Sequence, residues 1–182
     1  MDSFEHVVAS ILQRQGYWAQ TSVKVELTKE EKKAIGKPSS PRWELDVVGY
    51  KGVSNELLIV ECKSYLDSYG VRASAFDGTD AKGAKRYKLF VEKKLRDVVF
   101  SRLIAQLVGR GFCAPKPVVR LCLAAGKIYG DENNLIQHFK KNKWMLWTPS
   151  YLRDELAALR DSGYENSTAA VVVKLLLRGA VE

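Results

Sequence analysis

The segment "WELDVVGYKGVSNELLIVECKSY", residues 43–65, limits what this chain can become. Two runs rich in Val, Ile and Leu, residues 44–50 and 56–62, are separated by "KGVSN". Such runs form strands, and so short a turn makes them antiparallel neighbours. Their composition asks for burial, yet Asp46, Glu61 and Lys63 interrupt them. In a strand, alternate side chains share a face. Glu61 and Lys63 then lie with Ile59, while Glu44 and Asp46 lie with Val48, opposite Leu45 and Val47. Paired across the turn, one face gathers Asp46, Glu61 and Lys63.

Carboxylates set among aliphatic neighbours are costly to bury without a partner. A divalent cation would neutralise them. Mg²⁺ suits two carboxylates, waters and a phosphate, with Mn²⁺ as a substitute. A lysine beside them would orient or polarise an attacking water. This is equipment for hydrolysing a phosphodiester. The plainer alternative is a buried salt bridge between Lys63 and one acid. Other acid-x-lysine triplets occur at Glu30, Glu31, Asp80 and Glu92, all in polar segments. The triplet at Glu61 alone ends an apolar strand with an acid in the strand before it.

The rest of the chain frames this hairpin. Phe4, Val7, Val8, Ile11 and Leu12 repeat at helical spacing after a capping Ser3, and Gly16 ends that helix. A strand follows over 17–27, then a charged and Pro/Ser-rich loop with one helical turn over 28–42. The Gly-rich stretch 67–85 reads as a mobile loop. A long helix is expected over 85–108, a strand after Pro117, and a helix from Asp131 or Glu132 to Lys141. "KWMLW" is a short strand, and Pro149 sits at the first position of another helix. The last helix is capped by Asn166 or Ser167 and ends at Gly179. The order predicts an α/β fold: a mixed sheet with an αβββαβ core, flanked by helices, with extra C-terminal helices. A chain of 182 residues is long enough for one domain, with a core over about 1–148 and an extension over 149–182.

The chain carries 29 Lys and Arg against 21 Asp and Glu, a net charge of +8. That favours a polyanionic partner, nucleic acid above all. No apolar run reaches the roughly 18 residues of a membrane span. The opening "MDSFEHVVAS" lacks a basic segment, so no signal peptide is expected. Cys62, Cys113 and Cys122 lack metal-site spacing and read as reduced thiols, consistent with the cytoplasm.

The strands "ELDVVGY" and "LLIVECKSY" resemble the PD-(D/E)XK nuclease superfamily, the restriction-endonuclease-like fold that includes Mrr-type proteins and Holliday-junction resolvases. The resemblance covers the first two-thirds of the chain by order of elements. It implies a Mg²⁺-dependent endonuclease in which Asp46 and Glu61 bind metal and Lys63 assists the water. It also implies a role for Glu5, since "SFEHVVASILQRQGYWAQ" resembles the first helix of resolvase- and Mrr-related members. Leu45 stands where the family's proline precedes the first acid. Glu44 and Gln106 are further candidates near such a site. His6 and His138 have no partner at metal or triad spacing and receive no role.

"AKGAKRYKLFVEKKLRD" concentrates cations beside the proposed site. Lys85, Arg86, Lys88 and Lys93 are the expected nucleic-acid contacts, extended by Arg102 and Arg110. Lys29, Lys32, Lys33, Lys37 and Arg42 add a second basic segment. Such residues hold backbone phosphates and carry no sequence preference. DNA is the expected substrate. An inactive DNA-binding module and an assembly protein on the same fold are the alternatives. The apolar "AAVVVKLLL" must be covered, by the preceding helix or by a second copy in a homodimer.

Overall fold

The computed structural model describes residues 2–39, 42–161, 163 and 167–177. Helix α1, Ser3–Arg14, is capped by Asp2, whose carboxylate accepts from the Phe4 amide at 2.8 Å. Ser3 is therefore the first helical residue and not the cap. Strand β1, Trp18–Val25, leads to a short helix α2, Lys29–Ala34. Strands β2, Trp43–Lys51, and β3, Glu56–Lys63, form the expected hairpin. Then come α3, Ala81–Ala84, α4, Lys88–Val91, α5, Lys93–Gly109, and β4, Val118–Ala125. Helix α6, Glu132–Lys141, strand β5, Met145–Trp147, and helices α7, Pro149–Ala157, and α8, Thr168–Leu177, follow.

The strands form one sheet in the order β1-β2-β3-β4-β5. β1, β2 and β3 are antiparallel; β4 and β5 run parallel to β3. The chain is thus α/β, with a five-stranded mixed sheet between helices. Val47, Leu58, Val60, Cys62, Cys122 and Ala124 turn to one face and pack on Val8, Ile11 and Leu12 of α1. Leu57, Ile59, Leu121 and Leu123 turn to the other and pack on Leu95, Val99, Leu103 and Leu107 of α5. The three cysteines are free and buried. Among the described residues, no helix is long and apolar enough to cross a membrane.

Three expectations need correction. The single helix over 85–108 is broken at Glu92 (φ −101°, ψ 86°) into α4 and α5, and Lys85 precedes both. At about 100° per residue, an unbroken helix would point Phe90 nearly opposite the Leu95–Val99–Leu103–Leu107 stripe. The break lets Leu89 and Phe90 enter the same core, and Arg96 Nη1 donates to both their carbonyls at 3.0 Å.

The Gly-rich stretch is also anchored in the core. Val71, Ala75 and Phe76 are buried, and the Phe76 ring packs on Tyr87, Phe90 and Phe139 with centroids 4.5–5.6 Å apart. Val71 bridges Ile128 of the loop after β4.

The third correction lies in β2, where strict alternation fails at Asp46. Leu45 and Val48 share one core layer, while Val47 belongs to the other. The β2–β3 ladder stops at Val47 and Val60, and Asp46 Oδ2 instead accepts from the Cys62 amide at 2.7 Å. Across from Asp46, Ser22 adopts a left-handed backbone (φ 51°) and is skipped by the β1–β2 ladder.

In the C-terminal extension, Ser167 Oγ accepts from the Ala170 amide at 3.1 Å. Ala170 and Leu159 are buried, so α8 docks on the chain by one edge. Leu175 and Leu176 remain 77% and 70% exposed, so the preceding helix covers this apolar segment only in part. Asn166 and Gly179 lie outside the described residues.

Candidate active site

The hairpin brings three predicted residues together. Lys63 Nζ lies 2.6 Å from Glu61 Oε1 and 3.8 Å from Asp46 Oδ2. It also donates to the Cys62 carbonyl at 3.1 Å. All three side chains are mostly buried, with 17–24% of their surface exposed. Glu5 approaches from α1: Ser22 Oγ donates to Glu5 Oε2 at 3.1 Å.

The electrostatics follow from two acids sharing one cation, with Glu5 adding its charge at Glu61. Burial raises the Glu61 carboxyl above the usual range; Lys63 opposes this, and Asp46 and Glu5 add to it. Burial works against the charge of Lys63, but Glu61 and Asp46 outweigh it and hold the ammonium above the ordinary lysine range. The Glu5 carboxyl is raised by burial and by Asp46, against the Ser22 hydrogen bond. Burial, with Asp46 and Glu5, pushes the Cys62 thiol far up, so it is no nucleophile here.

This donor set fits a hard divalent cation. Its atoms are all oxygen, and it has more negative than positive charge. Asp46 and Glu61 supply carboxylates, and the Cys62 carbonyl, which the sequence did not single out, is a third oxygen on the same Lys63 ammonium. Asp46 Oδ1 makes no hydrogen bond among the described residues. Glu5 stands outside this donor set: among those residues, no three Asp, Glu, His or Cys side chains are grouped to cage a metal.

Other candidates fall elsewhere. Gln106 does not face the site: its side chain accepts from Glu26 N at 2.7 Å and donates to Lys24 O at 3.2 Å, tying α5 to the end of β1. Glu44 is exposed. His6 is exposed, and His138 packs among Phe76, Phe139 and Trp144.

Of the predicted nucleic-acid contacts, Lys85 and Arg86 are exposed on the turn between α3 and α4. Lys88 is half-buried, with Lys37 nearby. Lys93 is exposed and pairs with Asp97 at 2.6 Å. Arg102 forms a two-pronged pair with Glu31 and holds α2 to α5.

In the sequence, Ser64 and Tyr65 after Lys63 read only as the start of the next loop. Tyr65 adopts a left-handed backbone (φ 46°), and its side chain meets Tyr87. Burial, then Tyr65, pushes the Tyr87 hydroxyl up, and Glu61 adds to the effect. Tyr87 is buried, follows the exposed Lys85 and Arg86, and is within electrostatic reach of Glu61. The available signal was "SYLDSYGVR", where aromatic and basic residues follow the Glu61–Lys63 triplet directly.

No family model matches the chain, and no curated protein matches it. Among solved structures, it is similar to the crystal structure of a protein of unknown function, AF1548. The two share 16% identity, with 96% of this chain and 76% of that one covered, at a TM-score of 0.42.

Proposed function

We propose that this chain is a divalent-metal-dependent nuclease of the PD-(D/E)XK type, with a restriction-endonuclease-like core and DNA as its substrate. The observation that carries this reading is the meeting of Asp46, Glu61 and Lys63, with Lys63 Nζ 2.6 Å from Glu61. A plain salt bridge needs one acid; here a second carboxylate, Asp46, lies at 3.8 Å and Glu5 adds its field. That surplus of negative charge at a mostly buried point is what a cation would relieve.

Asp46 and Glu61 would hold Mg²⁺ or Mn²⁺. The bound ion would offset charge on the phosphate and acidify a water. Lys63, held protonated, acts as a donor and not as a base. Its ammonium would orient the attacking water and stabilise charge building on the phosphate oxygens. Glu5 adds its negative charge at Glu61. In the net reaction the oxygen of water bonds to phosphorus, the bond to the leaving oxygen breaks, and a proton from that water ends on the leaving oxygen.

The test is incubation of plasmid and linear DNA with the protein in Mg²⁺, Mn²⁺ or EDTA. Cleavage in either metal and none in EDTA is expected, and Lys63→Ala should be inactive. DNA binding without cleavage in any metal would replace this reading with an inactive binding module. Neither binding nor cleavage at low salt would leave the assembly-protein alternative.

A further inference from the structure

Between the loop after β3 and the turn from α3 to α4 is a cleft of about 260 Å³, lined in part by Tyr69, Arg72, Lys82, Arg86 and Tyr87. The Arg72 guanidinium lies over the rings of Tyr69 and Tyr129, 5.4 and 4.4 Å from their centroids. The two rings meet edge to face at 6.2 Å. Tyr69 is 74% exposed and Tyr129 52%. Large aromatic surface left in water and braced by a cation offers faces to a partner.

This platform is fixed in place. Val71 N donates to Lys127 O at 2.9 Å, and Tyr129 N donates to Val71 O at 2.8 Å. Those bonds tie the loop after β3 to the loop after β4. Gly70 (φ 94°) makes the approach possible; a Cβ there would press to 3.0 Å from Lys127 O. Both loops leave the carboxyl ends of parallel strands, the usual place for ligands in such sheets. Lys63 ends one of those strands, and Tyr87, which lines the cleft, is within electrostatic reach of Glu61.

The charge is complementary to phosphate. Among the described residues, Arg72, Lys82 and Arg86 form no ion pairs. The acid lining the cleft, Asp80, is engaged in capping α3, accepting from Gly83 N at 2.8 Å. Cations with exposed aromatic faces match a strand whose bases are free to stack. A blunt duplex keeps all but its end base faces inside the helix and offers the tyrosines far less to stack.

We propose that this cleft holds unpaired nucleotides of the substrate, with bases stacked on Tyr69 and Tyr129 and phosphates held by Arg72, Lys82 and Arg86. The inference rests on the nuclease reading and narrows it: the preferred substrate carries a single-stranded segment next to the cleavage point.

The experiment measures fluorescence anisotropy of a short labelled single strand, a blunt duplex of the same sequence and a duplex with an overhang. Binding is read in EDTA, so no strand is cut, and cleavage of the same three is followed separately in Mg²⁺. The single strand and the overhang should bind more tightly than the blunt duplex. Tyr69→Ala and Tyr129→Ala should weaken single-strand binding about 5- to 150-fold, the range expected for one lost stacking contact. Tyr69→Phe should retain it, and blunt-duplex binding should hardly move. Equal losses on all three DNAs, or no loss, would overturn the proposal. So would displacement of the strand by inorganic phosphate at the concentration that displaces it from Tyr69→Ala. Tyrosine-dependent binding by a wild type that cuts nothing would support the cleft and sink the nuclease reading. Cleavage with unaltered single-strand affinity in Tyr69→Ala would do the reverse.

Discussion

Lys63 places its ammonium 2.6 Å from Glu61 Oε1, two residues back along the same strand. Neighbours at that spacing share a face, so the pair is set by the strand itself. Removing the lysine leaves Glu61 mostly buried among acids. In Lys63→Ala we expect a loss of about 1–3 kcal/mol at neutral pH without metal. The sign follows from the raised Glu61 carboxyl. A carboxyl whose folded pKa exceeds its unfolded value destabilises as pH rises through the folded pKa. The defect should therefore shrink in mild acid. Thermal melts in EDTA at two pH values check this. An equal defect at both would mean that Glu61 is not the strained partner.

Metal should stabilise the native protein. A ligand that binds only the folded state adds about 2.7 kcal/mol at a hundredfold excess over Kd. Mg²⁺ and Mn²⁺ should therefore raise the melting temperature of wild type. Asp46→Asn and Glu61→Gln should remove the rise, while Glu5→Gln should only reduce it. A rise that survives both Asp46→Asn and Glu61→Gln would place the cation elsewhere.

Much of this site was readable before the structure. The apolar runs fixed β2 and β3, and the triplet at their end named Glu61 and Lys63. What alternation did not supply was the irregularity at Asp46. The two-residue period fails there because the Asp46 side chain, and not a backbone carbonyl, takes the Cys62 amide. The basic helix was misread for a similar reason. Local propensity favours one long helix, but burying Phe90 with the α5 stripe requires a break at Glu92. The tyrosine platform is assembled by two loops 60 residues apart, joined through Val71 and Ile128, and no local pattern reports that pairing.

Helix α2 hangs on Glu31. The Thr28 hydroxyl and the Glu31 carboxylate form a reciprocal cap at 3.2 and 2.8 Å, and Arg102 grips the same carboxylate. The Arg102 contact holds the Glu31 carboxyl below its usual range. Glu31→Ala should therefore lower stability by about 1–2 kcal/mol. The contribution of a carboxyl with a depressed folded pKa is present above its unfolded pKa and lost as pH falls through the folded one. Wild type and mutant should thus converge in acid. Urea melts at neutral and low pH would measure the gap, and a constant gap would contradict the Arg102 assignment.

Nucleic-acid affinity should fall with salt, because bound cations displace counterions from the backbone. Lys85 and Arg86 are exposed beside the cleft, with Lys88 following on α4. Neutralising all three should flatten the salt dependence and weaken unrelated DNA sequences alike. Lys93→Gln should do less, since Lys93 already pairs with Asp97. Salt titrations on two unrelated DNAs separate these outcomes. An unchanged slope in the triple mutant would shift the interface toward the segment from Lys29 to Arg42.

Gly126 sets the separation between the strand ends that carry the site. Its amide donates to Lys63 O at 2.9 Å, and a Cβ at this position would collide with the Ser64 carbonyl oxygen. The obstacle is backbone, so no rotamer change can relieve it. Gly126→Ala should force β3 and β4 apart at their carboxyl ends, with a loss of about 1–3 kcal/mol typical of overpacking. Because Lys63 is carried on the displaced segment, cleavage should fall by more than the loss of folded protein explains. Activity per folded molecule, taken at a temperature where both proteins are native, tests the link. A mutant that is less stable but fully active when folded would show that the site tolerates this shift.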